Sequence, residues 1–134
     1  ETVRIMSIGL RAGSRLPAYC TSMGRVLLSA LPRDTLEGYL ERNPLRPRTE
    51  RTVTRMDDFL DLLEKVRREG VSLVDQELEI GLRSIAVPVH SRSGEVVAAL
   101  NIGTQAGRIG LGVMQTQLLP RLREAAQRLG MLLN

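Results

Sequence analysis

The sequence predicts an α/β domain, more narrowly an α+β one, with a mainly antiparallel sheet. Three observations carry this. Helix-period stretches alternate with short apolar runs along the chain. Two late apolar runs, Ser84–His90 and Glu95–Gly103, meet around Ser93–Gly94 and read as a hairpin. Consecutive hairpin strands argue against a doubly wound parallel sheet.

Glu1–Leu10 mixes β-branched and polar residues and reads as a strand, with Val3 and Ile5, joined by Ser7, on one face and Arg4, Met6 and Ile8 on the other. Arg11–Tyr19 holds Gly13, Ser14 and Pro17 and reads as a loop. A helix follows, capped by Thr21 or Ser22, whose short hydroxyl satisfies an orphan N–H of the first turn. Met23, Val26, Leu27, Ala30 and Leu31 fall on one apolar stripe of it. Gly24 removes a side chain beside the free N–H groups, which lets a small molecule approach the backbone. Such a helix start is also a natural anion site.

Pro32 ends this helix or starts the next. Leu36, Tyr39 and Leu40 define a short second helix that stops before Asn43–Pro44. Arg42–Arg55 contains five arginines and two prolines and reads as an exposed loop. Asp57–Glu69 is a helix with Phe59, Leu62, Leu63 and Val66 on one stripe. Asp57 and Asp58 open it, Arg67 and Arg68 close it, and Gly70 follows, the order the helix dipole favours. Val71–Asp75 is a short strand and Gln76–Leu82 a polar connection. Pro88 marks an edge or a bulge in the next strand. Thr104–Gly112 is a Gly-rich loop. Val113–Leu133 is helical, with Leu118, Leu122, Ala125, Ala126, Leu129, Leu132 and Leu133 on one side. Pro120 kinks it or marks a restart.

The 134 residues suit one domain able to bury a core without staples. A single cysteine excludes an internal disulfide and fits a reducing, cytoplasmic compartment. No apolar run is long enough for a membrane helix, and no signal peptide is visible. The net charge is +4, and only three aromatic residues are present, Tyr19, Tyr39 and Phe59. The arginines form no basic stripe with interleaved aromatics, so this part of the protein is not expected to touch nucleic acid. The chain begins at Glu1 inside an expected strand, which suggests a fragment of a longer protein.

Four groups of residues could carry chemistry. Cys20 and His90 would suit a Cys–His hydrolase or transferase if they met, although two single residues make a chance pair. Asp75, Glu77 and Glu79 share a face in extended chain, as paired carboxylates or as a polar strand end. Gly107, Gly110 and Gly112 reverse the dinucleotide fingerprint and read as a flexible connection. Asn101 interrupts an apolar strand, so it faces solvent or a pocket.

Three blocks, GSRLPAYCTSMGRVLLSALP (13–32), DQELEIGLRSIAVPV (75–89) and GEVVAALNIG (94–103), together resemble the C-terminal effector-binding domain of IclR-family bacterial transcription regulators. The first block looks most like the Pca/Pob branch, which governs catabolism of aromatic acids. The resemblance implies a GAF-like fold, a curved antiparallel sheet flanked by helices. It implies one effector-binding domain over 1–134, truncated at its N-terminus, with the winged helix-turn-helix outside this chain. It implies no enzyme, no cofactor and no metal. A small carboxylate effector, such as p-hydroxybenzoate, protocatechuate or β-ketoadipate, would sit between the sheet and the first helix. DNA would be contacted only through the absent domain, and the protein would form a homodimer or tetramer. By motif match, Ser22 and Met23 offer N–H groups to the carboxylate. Asp75, Leu82, Ser84, Asn101 and Gly103 line the pocket, and Ile5 and Ile8 form its apolar wall. Arg15, near the helix start, adds a counter-charge. Position 84 is Ser where many members carry Cys. A ligand-free dimerisation module is the alternative.

Overall fold

Helix α1 spans Ser22–Ser29 in the computed structural model, which describes residues 12–134. The expected first strand, with Ile5 and Ile8, lies outside the described residues. Thr21 is the cap: its Oγ accepts the Gly24 N–H at 3.2 Å, in extended backbone at φ −119° and ψ 149°. The helix is packed on two sides. Met23 and Val26 meet the sheet through Ala86 and Ala99. Leu28, one turn after buried Arg25, enters a cluster with Cys20, Leu36, Leu40, Phe59 and Leu63. The expected stripe is therefore corrected: Leu27 and Ala30 are exposed, and Arg25 and Leu28 are inside.

Pro32 caps α2 (Arg33–Arg42), accepting the Leu36 N–H through its carbonyl. Helix α3 (Met56–Glu69) buries Phe59, Leu63 and Val66 and ends at Gly70 with φ 68°, a conformation that favours glycine.

Strands β1 (Ser72–Asp75), β2 (Leu82–His90) and β3 (Val96–Gln105) form an antiparallel sheet in the order β1-β2-β3. Register pairs Ser72 with Ala86, Val74 with Ser84, Ser84 with Gly103 and Ala86 with Asn101. Pleating puts these residues on one face, the one α1 covers. Ile85, Val87 and Val89 point the other way, to the C-terminal helix. The Gln76 N–H donates to Leu82 O, so on β2 the even-numbered N–H groups point toward β1. Pro88 falls two residues past the last β1 pairing, at Ala86, so its missing N–H breaks no bond. A bulge follows at Val89/His90.

The C-terminal helix is interrupted. A short α4 (Leu111–Val113) runs into a π-helical turn, Met114–Leu118, and then α5 (Leu119–Gly130), with Pro120 in its first turn. Wider bonding before the proline accommodates its lost donor, so Pro120 marks a restart. The buried stripe is Met114, Leu122, Ala126 and Gly130, while Ala125, Leu129 and Leu132, expected inside, are exposed. Gly130 is required because a Cβ there would lie 2.1 Å from His90 O.

Candidate functional site

α1 lies along the sheet with a defined polarity. Its C-terminal residues Ser29 and Ala30 share a cavity of about 530 Å³ with Pro88, His90 and Val96, at the far end of β2. Its N-terminal turn reaches the other end, where Arg25 meets Glu77 of the β1–β2 connection. The helix start thus faces the end of the sheet where β2 begins and β3 finishes. Leu82, Ser84, Asn101 and Gly103 stand there on the covered face. Each of the first three is half-buried, and Gly103 is exposed. A Cβ at Gly103 would meet no atom of the described residues within 4 Å. Asn101 belongs to this face, beside Ala86, and not to the opposite core.

The donors of the helix start are divided. The Gly24 N–H goes to Thr21 Oγ and the Arg25 N–H to Thr21 O at 3.0 Å. The Ser22 and Met23 N–H groups have no acceptor among the described residues. Two aligned backbone donors at a helix N-terminus suit a carboxylate.

Gly24 has a different role from the one the sequence suggested. A Cβ there would lie 2.2 Å from Ala18 O and 2.4 Å from Ala18 Cα. The close approach is made by the protein's own loop, not by a ligand.

Arg15 is exposed in the loop before α1 and makes no ion pair with a described residue. Asp75 is not gathered with the others. It pairs with Arg83 in register on the opposite face, and its Oδ1 accepts from Arg83 Nε at 2.9 Å. Arg51 Nη1 reaches Oδ2 at 3.3 Å. Arg83 also donates to Ala106 O and Ile109 O, tying the loop after β3 to the sheet. The Arg83 hydrogen bond is the main cause holding the Asp75 carboxyl below its ordinary range, opposed by partial burial. A depressed carboxyl contributes stability that is complete above the unfolded value, about 4, and is lost as pH falls through the folded value. Thermal unfolding followed from neutral pH into acid is expected to show this loss, and Asp75→Asn to remove that part of the slope.

The three carboxylates do not share a face. Gln76 has φ 63°, so the chain leaves the strand after Asp75. Glu77 turns inward and is 8% exposed, and Arg25 is fully buried. Arg25 Nη1 donates to Glu77 Oε2 at 2.9 Å and Nη2 to Oε1 at 2.5 Å. Its Nε donates to Tyr19 O at 2.8 Å, and the Phe59 ring lies 5.8 Å away. Neither residue stood out as a pair in the sequence. The available signal was an arginine inside an apolar helix, one turn before Leu28.

Cys20 sits in the apolar cluster, and burial pushes its thiol up, away from a reactive thiolate. His90 is exposed at the end of β2. The Cys–His expectation is therefore not supported. Gly107 and Gly110 stand in open loop, and α4 after them is a single turn, no cradle for a dinucleotide. Among the described residues no group of three His, Cys, Asp or Glu side chains could hold a metal ion. No described helix is long and apolar enough to cross a membrane.

Residues 1–131 match the family described as bacterial transcriptional regulator IclR, C-terminal. The chain is 47% identical over 126 residues to the Pca regulon regulatory protein of Pseudomonas putida, covering 94% of this chain and 43% of that protein. It is 39% identical over 129 residues to the p-hydroxybenzoate hydroxylase transcriptional activator of Acinetobacter baylyi, covering 96% and 48%. The chain thus spans about half the length of these curated relatives. Its fold is similar, with a TM-score of 0.89 and 39% identity, to a double mutant of the PobR inducer-binding domain from Acinetobacter, solved with 3-hydroxybenzoic acid. That likeness covers 93% of this chain and 71% of that one. The expected α+β, GAF-like fold is therefore the fold of solved relatives. On these grounds the chain belongs to the IclR family of bacterial transcriptional regulators, as their C-terminal domain, and not to a family of enzymes.

Proposed function

We propose that the domain senses a small carboxylate, with an aromatic acid such as p-hydroxybenzoate or protocatechuate as the first choice and β-ketoadipate as the second. One observation carries the reading: the Ser22 and Met23 N–H groups of α1 have no acceptor among the described residues, and the helix start lies at the end of the sheet that bears Ser84, Asn101 and Gly103. The carboxylate accepts from these two donors, Leu82 packs against the ring, and Ser84 and Asn101 meet its polar substituents. Ile5 and Ile8 close the apolar side, and Arg15 supplies a counter-charge at the mouth. Asp75 acts from behind the sheet, holding Arg83 at the start of β2, and does not touch the ligand. The solved relative's 3-hydroxybenzoic acid supports an aromatic acid.

The whole regulator is a homodimer or tetramer that contacts DNA through a winged helix-turn-helix outside residues 1–134. Effector binding shifts its conformation or assembly, and a coupling of about 1–3 kcal/mol changes promoter occupancy several-fold or more.

Calorimetric titration with p-hydroxybenzoate, protocatechuate and β-ketoadipate tests the reading. One of them is expected to bind, and no binding by any would remove it. Ser22→Pro sharpens the test. Position 22 is the first helical residue, where proline is favoured, and Thr21 already has the extended backbone that a following proline requires. The fold is expected to survive. Losing one donor to a charged acceptor costs about 1.5–3 kcal/mol, so affinity should fall by roughly 10- to 100-fold.

A further inference from the structure

The carboxylate site has two walls, the first turn of α1 and the beginning of β2, and one buried ion pair spans them. Arg25 is three residues after Ser22. Its Nε fixes the carbonyl of Tyr19, in the loop that enters the helix. Glu77 is in the connection that ends at Leu82, where β2 begins. That connection is itself fixed. Glu77 Oε1 accepts the Val53 N–H at 2.9 Å, and Thr52 Oγ donates to Glu77 O at 2.7 Å. Thr49 Oγ donates to Gln76 O at 2.7 Å. The two-point contact between guanidinium and carboxylate holds one separation and one plane.

A buried ion pair is a poor source of net stability, because loss of hydration offsets most of the attraction. Its contribution here is geometric. We propose, resting on the carboxylate reading above, that Arg25 and Glu77 are positioning residues whose ion pair sets the spacing between the helix-start donors and the Leu82–Ser84 wall. They thereby determine which length of acid fits. Neither residue touches the ligand. They act through Tyr19 and Leu82.

The test uses Glu77→Asp, which shortens the strut by one methylene, and Arg25→Lys, which keeps the charge but loses the two-point fork. Leu36→Ala, in the same apolar cluster as Phe59, is the control for plain destabilisation. Each variant is titrated with p-hydroxybenzoate and β-ketoadipate, and its thermal midpoint is measured alongside. Both strut variants are expected to lose about tenfold in affinity, the scale of one misaligned charged hydrogen bond. The preference between the two acids is also expected to change. Leu36→Ala should keep the parent's affinity and preference at a similar loss of midpoint. Unchanged affinity and preference in both strut variants overturns the proposal, as does a parallel loss in Leu36→Ala. A ligand-free readout separates this result from failure of the carboxylate reading: amide exchange at Gly24 and Arg25 should quicken in Arg25→Lys, with α5 amides unchanged. Equal exchange in both proteins overturns the positioning role whatever binds.

Discussion

Arg25→Met is expected to destabilise the protein by about 3–5 kcal/mol, because it leaves the Glu77 carboxylate buried without its partner. Glu77→Leu should cost a similar amount, now by stranding a guanidinium that is fully buried beside Phe59. The double variant Arg25→Met/Glu77→Leu is expected to recover much of the loss, since no uncompensated charge remains. Recovery stays incomplete. Tyr19 O loses the Nε donor and the Val53 N–H loses its acceptor, two orphan groups worth about 1–3 kcal/mol each if they stay buried. Chemical denaturation of the four proteins checks this. Additive losses in the double variant would mean that the two side chains act independently.

Gly24→Ala is the second large effect, and two opposing terms decide its sign. Alanine is favoured over glycine within a helix by about 1 kcal/mol. Against this, the added Cβ would sit 2.2 Å from Ala18 O, 2.4 Å from its Cα and 2.6 Å from its carbonyl carbon. These are backbone atoms, so no side chain can swing aside. Overpacking a core costs about 1–3 kcal/mol even where side chains give way, and a backbone obstacle puts this case at the upper end or beyond. The clash wins, and the thermal midpoint is expected to fall by roughly 5–10 °C. The loop carrying Tyr19 must also shift, so carboxylate affinity should drop with stability. A variant as stable as the parent would show that the junction of loop and helix is looser than described.

Elements with one buried face were readable in the sequence. Helix α3 carries its aspartates, its Phe59–Leu63–Val66 stripe and its terminal Gly70 in consecutive residues, and the β2–β3 hairpin has both apolar runs and Gly94 within a short stretch. Thr21 as cap follows from the same local logic. Helix α1 departs from its expected stripe because it is packed on two sides. Its second stripe, Ser22, Arg25 and Leu28, includes an arginine, and hydrophobic periodicity counts such a residue as solvent-facing. Its partner Glu77 lies 52 residues away, at a separation that no local pattern reports. Asp75 and Glu77 looked like companions because the extended period was carried past Asp75. Gln76, in the left-handed region, breaks that period. In the C-terminal helix the buried residues Leu122, Ala126 and Gly130 recur every four positions, a narrow stripe that leaves the adjoining Ala125 and Leu129 exposed. The positions proposed for the pocket came from motif resemblance. The structure adds that Leu82, Ser84, Asn101 and Gly103 share one sheet face and that Asp75 does not.

The central claim is that the first two amide hydrogens of α1 hold the effector's carboxylate. The most direct measurement follows the backbone amide resonances of the protein as p-hydroxybenzoate is added, with its methyl ester as the uncharged control. The Ser22 and Met23 amides are expected to shift downfield with the acid, saturate together, and barely respond to the ester. An acid that binds while both amides stay in place, with the changes clustered elsewhere, would contradict it.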